Sequence, residues 1–292
     1  TFCYNSPELA YPVYFVAKVS KAAPSYGVWH TPEKHQGVEA QWMWYNGETR
    51  LKEQFAREVV GDSIGAYFRY KFDKEEVVEL KVGISYVSIA NARENLEKEI
   101  GNRTFDEVYA TTRQTWNDAL RATVEGGTND QKTIFYTALY HALIHPNLLN
   151  DVNGDYPESK TNKIGKNHQR YTVFSLWDTY RNYHQLLTLL YPEQQLQMVR
   201  TMLDIYKESG WLPKWELNST ETFTMVGDPA SIVLADTYLR GLTDFDIQTA
   251  YEAMLKGANT LENNPIRPGV KEYWKLGYLS VDGGVRGPVS TT

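Results

Sequence analysis

Apolar and polar positions alternate in short runs over the first ninety residues. Residues 12–21 (PVYFVAKVSK), 65–72 (GAYFRYKF) and 77–89 (VVELKVGISYVSI) are rich in Val, Tyr, Phe and Ile, which predicts strands. After Ser88 the period changes. Ala92, Leu96 and Ile100 recur at four-residue spacing among charged residues, and 105–123 continues as an amphipathic helix.

From there the punctuation is helical. Gly126-Gly127 breaks the chain, Thr128 to Asp130 can cap, and 134–144 reads as an apolar helix ending before Pro146. A long polar loop is expected over 147–170, then a helix over 173–190. Pro192 suits the first turn of another helix that runs to Ser209, and Gly210 suits its left-handed C-terminal position. Asp228-Pro229 repeats the cap-then-proline start for 230–240, and 247–257 follows after a short link. Several of these helices are apolar on more than one face, which fits concentric helical hairpins. Residues 263–292 are dense in Gly and Pro and read as irregular loop. Both ends look cut, so the chain is expected to be a portion of a longer polypeptide.

Charge and composition narrow the partners. Lys plus Arg is 30 against 36 Asp plus Glu, a net charge of −6, which argues against a binder of nucleic acid or anionic membrane. Aromatic residues reach 13%, with Tyr and Trp in excess, and such faces stack on sugar rings. No apolar run is long enough for a membrane span, and the first residues carry no signal-peptide pattern. The single cysteine, Cys3, excludes a disulfide framework and a cysteine-based zinc site.

Two runs concentrate chemistry. Residues 210–230 (GWLPKWELNSTETFTMVGDPA) form a long connection between helices with Trp211, Trp215, Glu216, Glu221 and Asp228. A carboxyl flanked by Trp and Met is partly desolvated, which raises its pKa and suits it to donate a proton near neutral pH. Glu216 and Glu221 both qualify by composition; Asp228 reads better as a helix N-cap. The bland alternative is a solvated Glu216 with both tryptophans in the core.

In residues 172–187 (TVFSLWDTYRNYHQLL), Asp178 and Arg181 lie three apart, where a helix sets side chains next to each other. They read either as a structural ion pair or as a polar cluster that holds sugar hydroxyls beside the Trp177 plate. His141 and His145 have a spacing that permits a shared metal, but a packed, hydrogen-bonded pair is the preferred reading. Asn102-Arg103-Thr104 and Asn218-Ser219-Thr220 match the glycosylation triplet. No nucleotide-binding loop and no serine-hydrolase elbow is present.

At FYTALYHALIHP (135–146), FSLWDTYRNYHQLLTLLYPEQ (174–194), the 210–230 run and ASIVLADTYLRGLTDFD (230–246), the sequence resembles glycoside hydrolase family 92, the calcium-dependent exo-acting α-mannosidases. YVSIANARENLEKE (86–99) resembles the family's segment between its β-domain and its helical domain. The resemblance implies an α+β multidomain fold. Residues 1–90 would be part of a β-sandwich-like domain, 91–127 a helical linker, and 128–292 part of an (α/α)6 toroid, with the site at the domain interface. It further implies inverting removal of terminal α-linked mannose from glycans, in the periplasm or secreted.

By the E-T-x-x-M pattern the resemblance places the general acid on Glu221 and demotes Glu216. The W-D-T-x-R pattern places Trp177, Asp178 and Arg181 in the sugar-binding wall, and Trp215 is expected to bind substrate with them. The general base and most calcium ligands would follow Thr292. GDPA after Met225 departs from relatives that carry His after the Gly. Two other readings are another α/α-toroid glycosidase or phosphorylase, and a glycan-binding protein without catalysis.

Overall fold

The computed structural model describes residues 11–30, 50–53, 57–61, 64–161, 163–166 and 169–280. Cys3, His35 and His168, and the end of the expected irregular tail, lie outside the described residues. Two compact units divide the chain, residues 15–83 and the remainder.

β1 (Tyr14–Val19) pairs with β5 (Leu80–Ser85). β2 (Ser25–His30) is the centre of a three-stranded antiparallel sheet between β3 (Arg50–Glu53) and β4 (Ile64–Arg69). Trp29 stands opposite Gly65, and a Cβ on Gly65 would come within 2.6 Å of the Trp29 indole. Only a glycine lets the ring lie flat across the neighbouring strand. β2 and β3 were not expected, because SYGVWH lacks a β-branched run and RLKE is too short and polar to show a period.

The expected strand over 77–89 is trimmed at both ends. Val77 is 86% exposed, and at the far end the Ser85 hydroxyl accepts the Val87 amide at 2.9 Å and bends the chain. Ser88 then caps α1 (Ile89–Glu99) by accepting from the Asn91 amide at 3.0 Å. Capping boxes open the next two helices, Thr104 with Glu107 for α2 (Phe105–Ala119) and Thr128 with Gln131 for α3 (Asn129–Ala142). α2 stops short of Thr123.

Residues 147–170, expected as loop, hold two short ladders. β6 (Asn147–Leu148) pairs with β9 (Tyr171–Thr172), and β7 (Tyr156–Pro157) with β8 (Ile164–Gly165). Their anchor is the buried carboxylate of Asp151. It accepts from Ser85 Oγ at 2.7 Å, Asn91 Nδ2 at 2.8 Å and Asn95 Nδ2 at 2.6 Å. Asn95 also accepts the Val152 amide at 2.9 Å. Two asparagines four apart on α1 face the same side, and this ties the polar segment to α1.

The single helix expected over 173–190 is broken. Val173 has φ 65° and its amide donates to Glu216 at 3.1 Å, so the chain enters as β10 (Phe174–Ser175). One turn follows, α4 (Leu176–Thr179), and the helix resumes as α5 (Tyr183–Leu190). α6 (Pro192–Ser209) has proline in its first turn and Gly210 at φ 83°, as expected. Between α6 and α7 (Pro229–Leu239) lies a hairpin of β11 (Trp215–Leu217) and β12 (Thr220–Glu221). α8 (Ile247–Asn259) follows, and a last helix, α9 (Val270–Leu276), occupies part of the stretch expected to be irregular.

The core centres on α6. Met198, Val199, Met202, Leu203 and Ile205 are buried with Phe174, Leu176, Leu187, Leu212, Val233 and Leu234. The burial runs round more than one face of α6, as its sequence predicts. By contrast α2 buries none of its residues, and α7 leaves Leu239 81% exposed. The architecture is mixed, with small sheets and several helices. No helix among the described residues is long and apolar enough to cross a membrane.

Candidate functional site

The 210–230 run is organised by a three-stranded antiparallel sheet, β10–β11–β12. Its register sets Ser175 opposite Trp215, Phe174 opposite Glu216, and Glu216 opposite Glu221. Opposed residues in such a pair project to the same face, so the hairpin gathers two carboxyls side by side. The turn between them is Asn218-Ser219, with φ 48° and 66°. That is a type I′ hairpin turn, here without the usual glycine.

Glu216 stabilises the turn. Its carboxyl accepts from the Ser219 amide, from Thr172 Oγ1 at 2.8 Å and from the Val173 amide at 3.1 Å. Thr172 Oγ1 in turn accepts the Asn218 amide at 2.7 Å. Glu216 is 0% exposed, so the solvated reading does not hold. Burial pushes its pKa up to about 7, against the pull of the Arg170 guanidinium and its own hydrogen bonds. It has the proton affinity of a general acid but no open face from which to donate.

Glu221 is partly buried and is also held by the main chain. Its carboxyl accepts the amides of Lys214 at 2.8 Å, Trp215 at 3.0 Å and Phe223 at 2.7 Å. Burial raises its pKa, with these amide bonds and the nearby Lys214 ammonium opposing. Lys214 is 3% exposed and donates from Nζ to the Ile266 carbonyl at 2.7 Å. Burial lowers its pKa while Asp228 and Glu221 support its charge. Asp228 is the N-cap of α7, as expected; it accepts from Ser231 and pairs with Arg267 at 3.1 Å.

On the neighbouring strand, β10 leads straight into α4, which carries Trp177 and Asp178. Asp178 is exposed and accepts from the Ser175 hydroxyl, the residue opposite Trp215. Arg181 does not pair with Asp178, contrary to the ion-pair reading. Its guanidinium lies 4.4 Å from the Trp177 ring centre and 5.0 Å from that of Tyr180. α4 ends at Thr179, so the side-by-side geometry of a continuous helix is lost before Arg181. Trp215 and Trp211 are each partly buried, and Trp211 packs on the core beneath the Lys256 ammonium, 4.7 Å away.

The structure thus brings Trp215 and Glu221 into one hairpin, with Ser175 and its partner Asp178 on the adjoining strand. What sequence reasoning missed is the depth of Glu216 and Lys214. Both depend on groups far along the chain, Thr172 and Ile266. A groove of about 540 Å³ along α3 is lined by Asn129, Lys132, Thr133, Tyr136, Thr137 and Tyr140, none of them an expected site residue. His141 and His145 are both exposed and do not form a buried pair.

Calcium takes six to eight oxygen ligands. Among the described residues no three His, Cys, Asp or Glu side chains are grouped to hold a metal. The carboxylates of Glu216 and Glu221 are already engaged by protein donors. The described residues do not fit a calcium site.

Residues 91–292 match the glycosyl hydrolase family 92 catalytic domain. A family GH92 inverting mannosidase from Bacteroides thetaiotaomicron superposes with a TM-score of 0.80 at 26% identity, over 92% of this chain and 35% of its own. A second GH92 α-mannosidase of that organism superposes at 0.76 with 29% identity and the same coverage, and is also known in complex with mannoimidazole. An uncharacterized secreted glycosidase from Arthroderma benhamiae is 30% identical over 215 residues, 69% of this chain. This chain spans 23% of that fungal relative's length and 35% of the two bacterial structures. The family match runs from Asn91 in α1 through α9 and takes in the whole carboxyl hairpin, and on that extent the chain belongs to glycoside hydrolase family 92.

Proposed function

We propose that this protein is an inverting exo-acting α-mannosidase that removes terminal α-linked mannose from glycans outside the cytoplasm, secreted or periplasmic. The observation that carries the reading is the family match over residues 91–292, within which lie a desolvated carboxyl hairpin and an aromatic and polar strand beside it. In this reading residues 1–90 belong to a β-sandwich-like domain, 91–127 to a helical linker and 128–292 to an (α/α)6 toroid. Calcium dependence comes with the family, its ligands lying outside the described residues.

Glu221 is the proposed general acid. It gives its proton to the glycosidic oxygen as the bond from the anomeric carbon to that oxygen breaks. Water adds from the opposite face and loses its proton to a second carboxylate, which inversion sets roughly 6.5–9.5 Å away. Trp177, Asp178, Arg181 and Trp215 are the proposed sugar-binding wall, with Asp178 accepting from a sugar hydroxyl.

A second reading of Glu221 has its own support. Three main-chain amides converge on its carboxyl, as they would on an anchor for the loop. Glu221→Gln in the full protein separates the two. An acid role predicts a loss on the order of 10²–10⁴ on mannosides with poor leaving groups, and near-normal turnover of activated aryl mannosides. An anchoring role predicts equal loss on both substrates and a lower melting temperature. Absence of mannoside hydrolysis by the wild-type protein with calcium supplied rejects the mannosidase reading itself.

A further inference from the structure

Behind the Trp177-Asp178-Thr179 turn runs a chain of buried polar side chains that links four helices. Thr179 Oγ1 lies 3.0 Å from His184 Nε2, and His184 Nδ1 lies 2.9 Å from Gln195 Oε1. Gln195 Nε2 donates to Thr237 Oγ1 at 2.9 Å, and Thr237 Oγ1 to the Val233 carbonyl at 2.7 Å. His184 and Thr237 are each 1% exposed and Gln195 is 0% exposed. The members come from α4, α5, α6 and α7.

The far end fixes the direction of each bond as far as the imidazole. A carbonyl oxygen only accepts, so the Thr237 hydroxyl must donate to Val233. Its lone pair then receives the Gln195 amide N–H, which turns the Gln195 oxygen toward His184. An amide oxygen only accepts, so His184 must carry its proton on Nδ1. The ring is 1% exposed and its nitrogens meet only an amide oxygen and a hydroxyl, with no carboxylate in hydrogen-bond reach, so it stays neutral. Nε2 is then bare and can only accept, and Thr179 must be the donor. With the ring neutral, reversing any one bond would leave two donors or two acceptors face to face in a buried site, which costs the desolvation of both groups.

We propose that His184 is a positioning residue, held by Gln195 and Thr237 in the Nδ1–H form, and that it fixes the Trp177-Asp178-Thr179 turn through the Thr179 hydroxyl. α4 has a single turn and no side-chain cap. A four-residue helix cannot hold its own geometry, and the buried imidazole supplies the anchor. The catalytic part of the inference rests on the mannosidase reading above, because it takes this turn to be part of the sugar-binding wall. The tautomer does not.

Nitrogen-15 spectra of the full protein with labelled histidine test the polarity, with the His184 signals identified by their loss in His184→Asn. The expected result at pH 7.5 is a protonated Nδ1 and a bare Nε2, the less common form of a free imidazole. An Nε2–H tautomer or a doubly protonated ring overturns the proposal. Thr237→Val and Thr237→Ser test the positioning. Valine keeps the shape and removes the hydroxyl; it should raise KM for an aryl mannoside several-fold with kcat within about two-fold. Serine should restore KM. An unchanged KM with valine, or serine no better than valine, overturns the positioning role. If wild-type protein turns over no mannoside, the mannosidase reading falls and the tautomer alone decides the chain.

Discussion

Glu216 and Glu221 stand directly opposite each other across the β11–β12 hairpin, yet no donor is shared between their carboxyls. Glu216 takes the Val173 and Ser219 amides and the Thr172 hydroxyl, while Glu221 takes the amides of Lys214, Trp215 and Phe223. Each carboxyl is therefore fixed by its own set of donors. One braces the hairpin turn against β9 and β10; the other closes the loop on itself.

The pH dependence of stability should show two opposed contributions. Glu216 rises from 4.5 to about 7 on folding, so the fold holds its proton more tightly than the unfolded chain. Its contribution is complete below pH 4.5 and is lost as pH rises toward 7, about 3 kcal/mol in all. His184 falls from 6.5 to about 4, because burial disfavours the imidazolium. Its contribution is present above pH 6.5 and is lost as pH falls toward 4, again about 3 kcal/mol. Between those limits the two slopes offset one another. Urea titrations from pH 4.5 to 6.5 should therefore show that Glu216→Gln gains stability with rising pH relative to wild type, and that His184→Asn loses it. The reverse sign in either variant contradicts the assignment.

Arg181 should couple to Trp177 rather than to Asp178. A guanidinium stacked on an aromatic face at an exposed position contributes about 0.5–1 kcal/mol. A double-mutant cycle of Arg181→Ala with Trp177→Leu should recover a coupling of that size in thermal unfolding, and the cycle with Asp178→Ala should recover none. A larger coupling to Asp178 would restore the ion-pair reading.

Asp151 should be among the costliest single polar residues to remove. Its carboxylate satisfies Ser85, Asn91 and Asn95, and Asp151→Ala leaves these donors without it in a closed site. Each buried unsatisfied group costs about 1–3 kcal/mol, and relaxation and water entry will recover part of the sum. Chemical denaturation should give a loss of at least about 2 kcal/mol. A loss under about 0.5 kcal/mol, the size of an ordinary surface substitution, would show that the network is dispensable.

The helical frame was legible because its signals are local. Pro192 and Gly210 bound α6, Asp228-Pro229 opens α7, and Thr128 opens α3; each works through neighbours within one turn of the chain. The sheet that organises the site was not legible. β10, β11 and β12 are two or three residues long, too short for an alternation to show. Their pairing sets Phe174 against Glu216, and Glu216 reaches on to Thr172, 44 positions away. The same distance explains Glu216 itself: composition gave it the same standing as Glu221, and its complete burial comes from segments that sequence spacing does not relate. The ion pair between Asp178 and Arg181 is absent for a different reason. Three-residue spacing places side chains together only if the helix continues, and here it ends at Thr179.

The contrast between α6, enclosed on most sides, and α2, which buries no residue, implies a wide spread in how fast the main chain trades its amide protons for deuterium. Amides near Met198 to Ile205 can open only with the whole core, whereas those between Phe105 and Ala119 can be released by local fraying. Protection along the chain should rise and fall with that enclosure, so the slowest amides mark the part of the molecule that sets its lifetime against proteases.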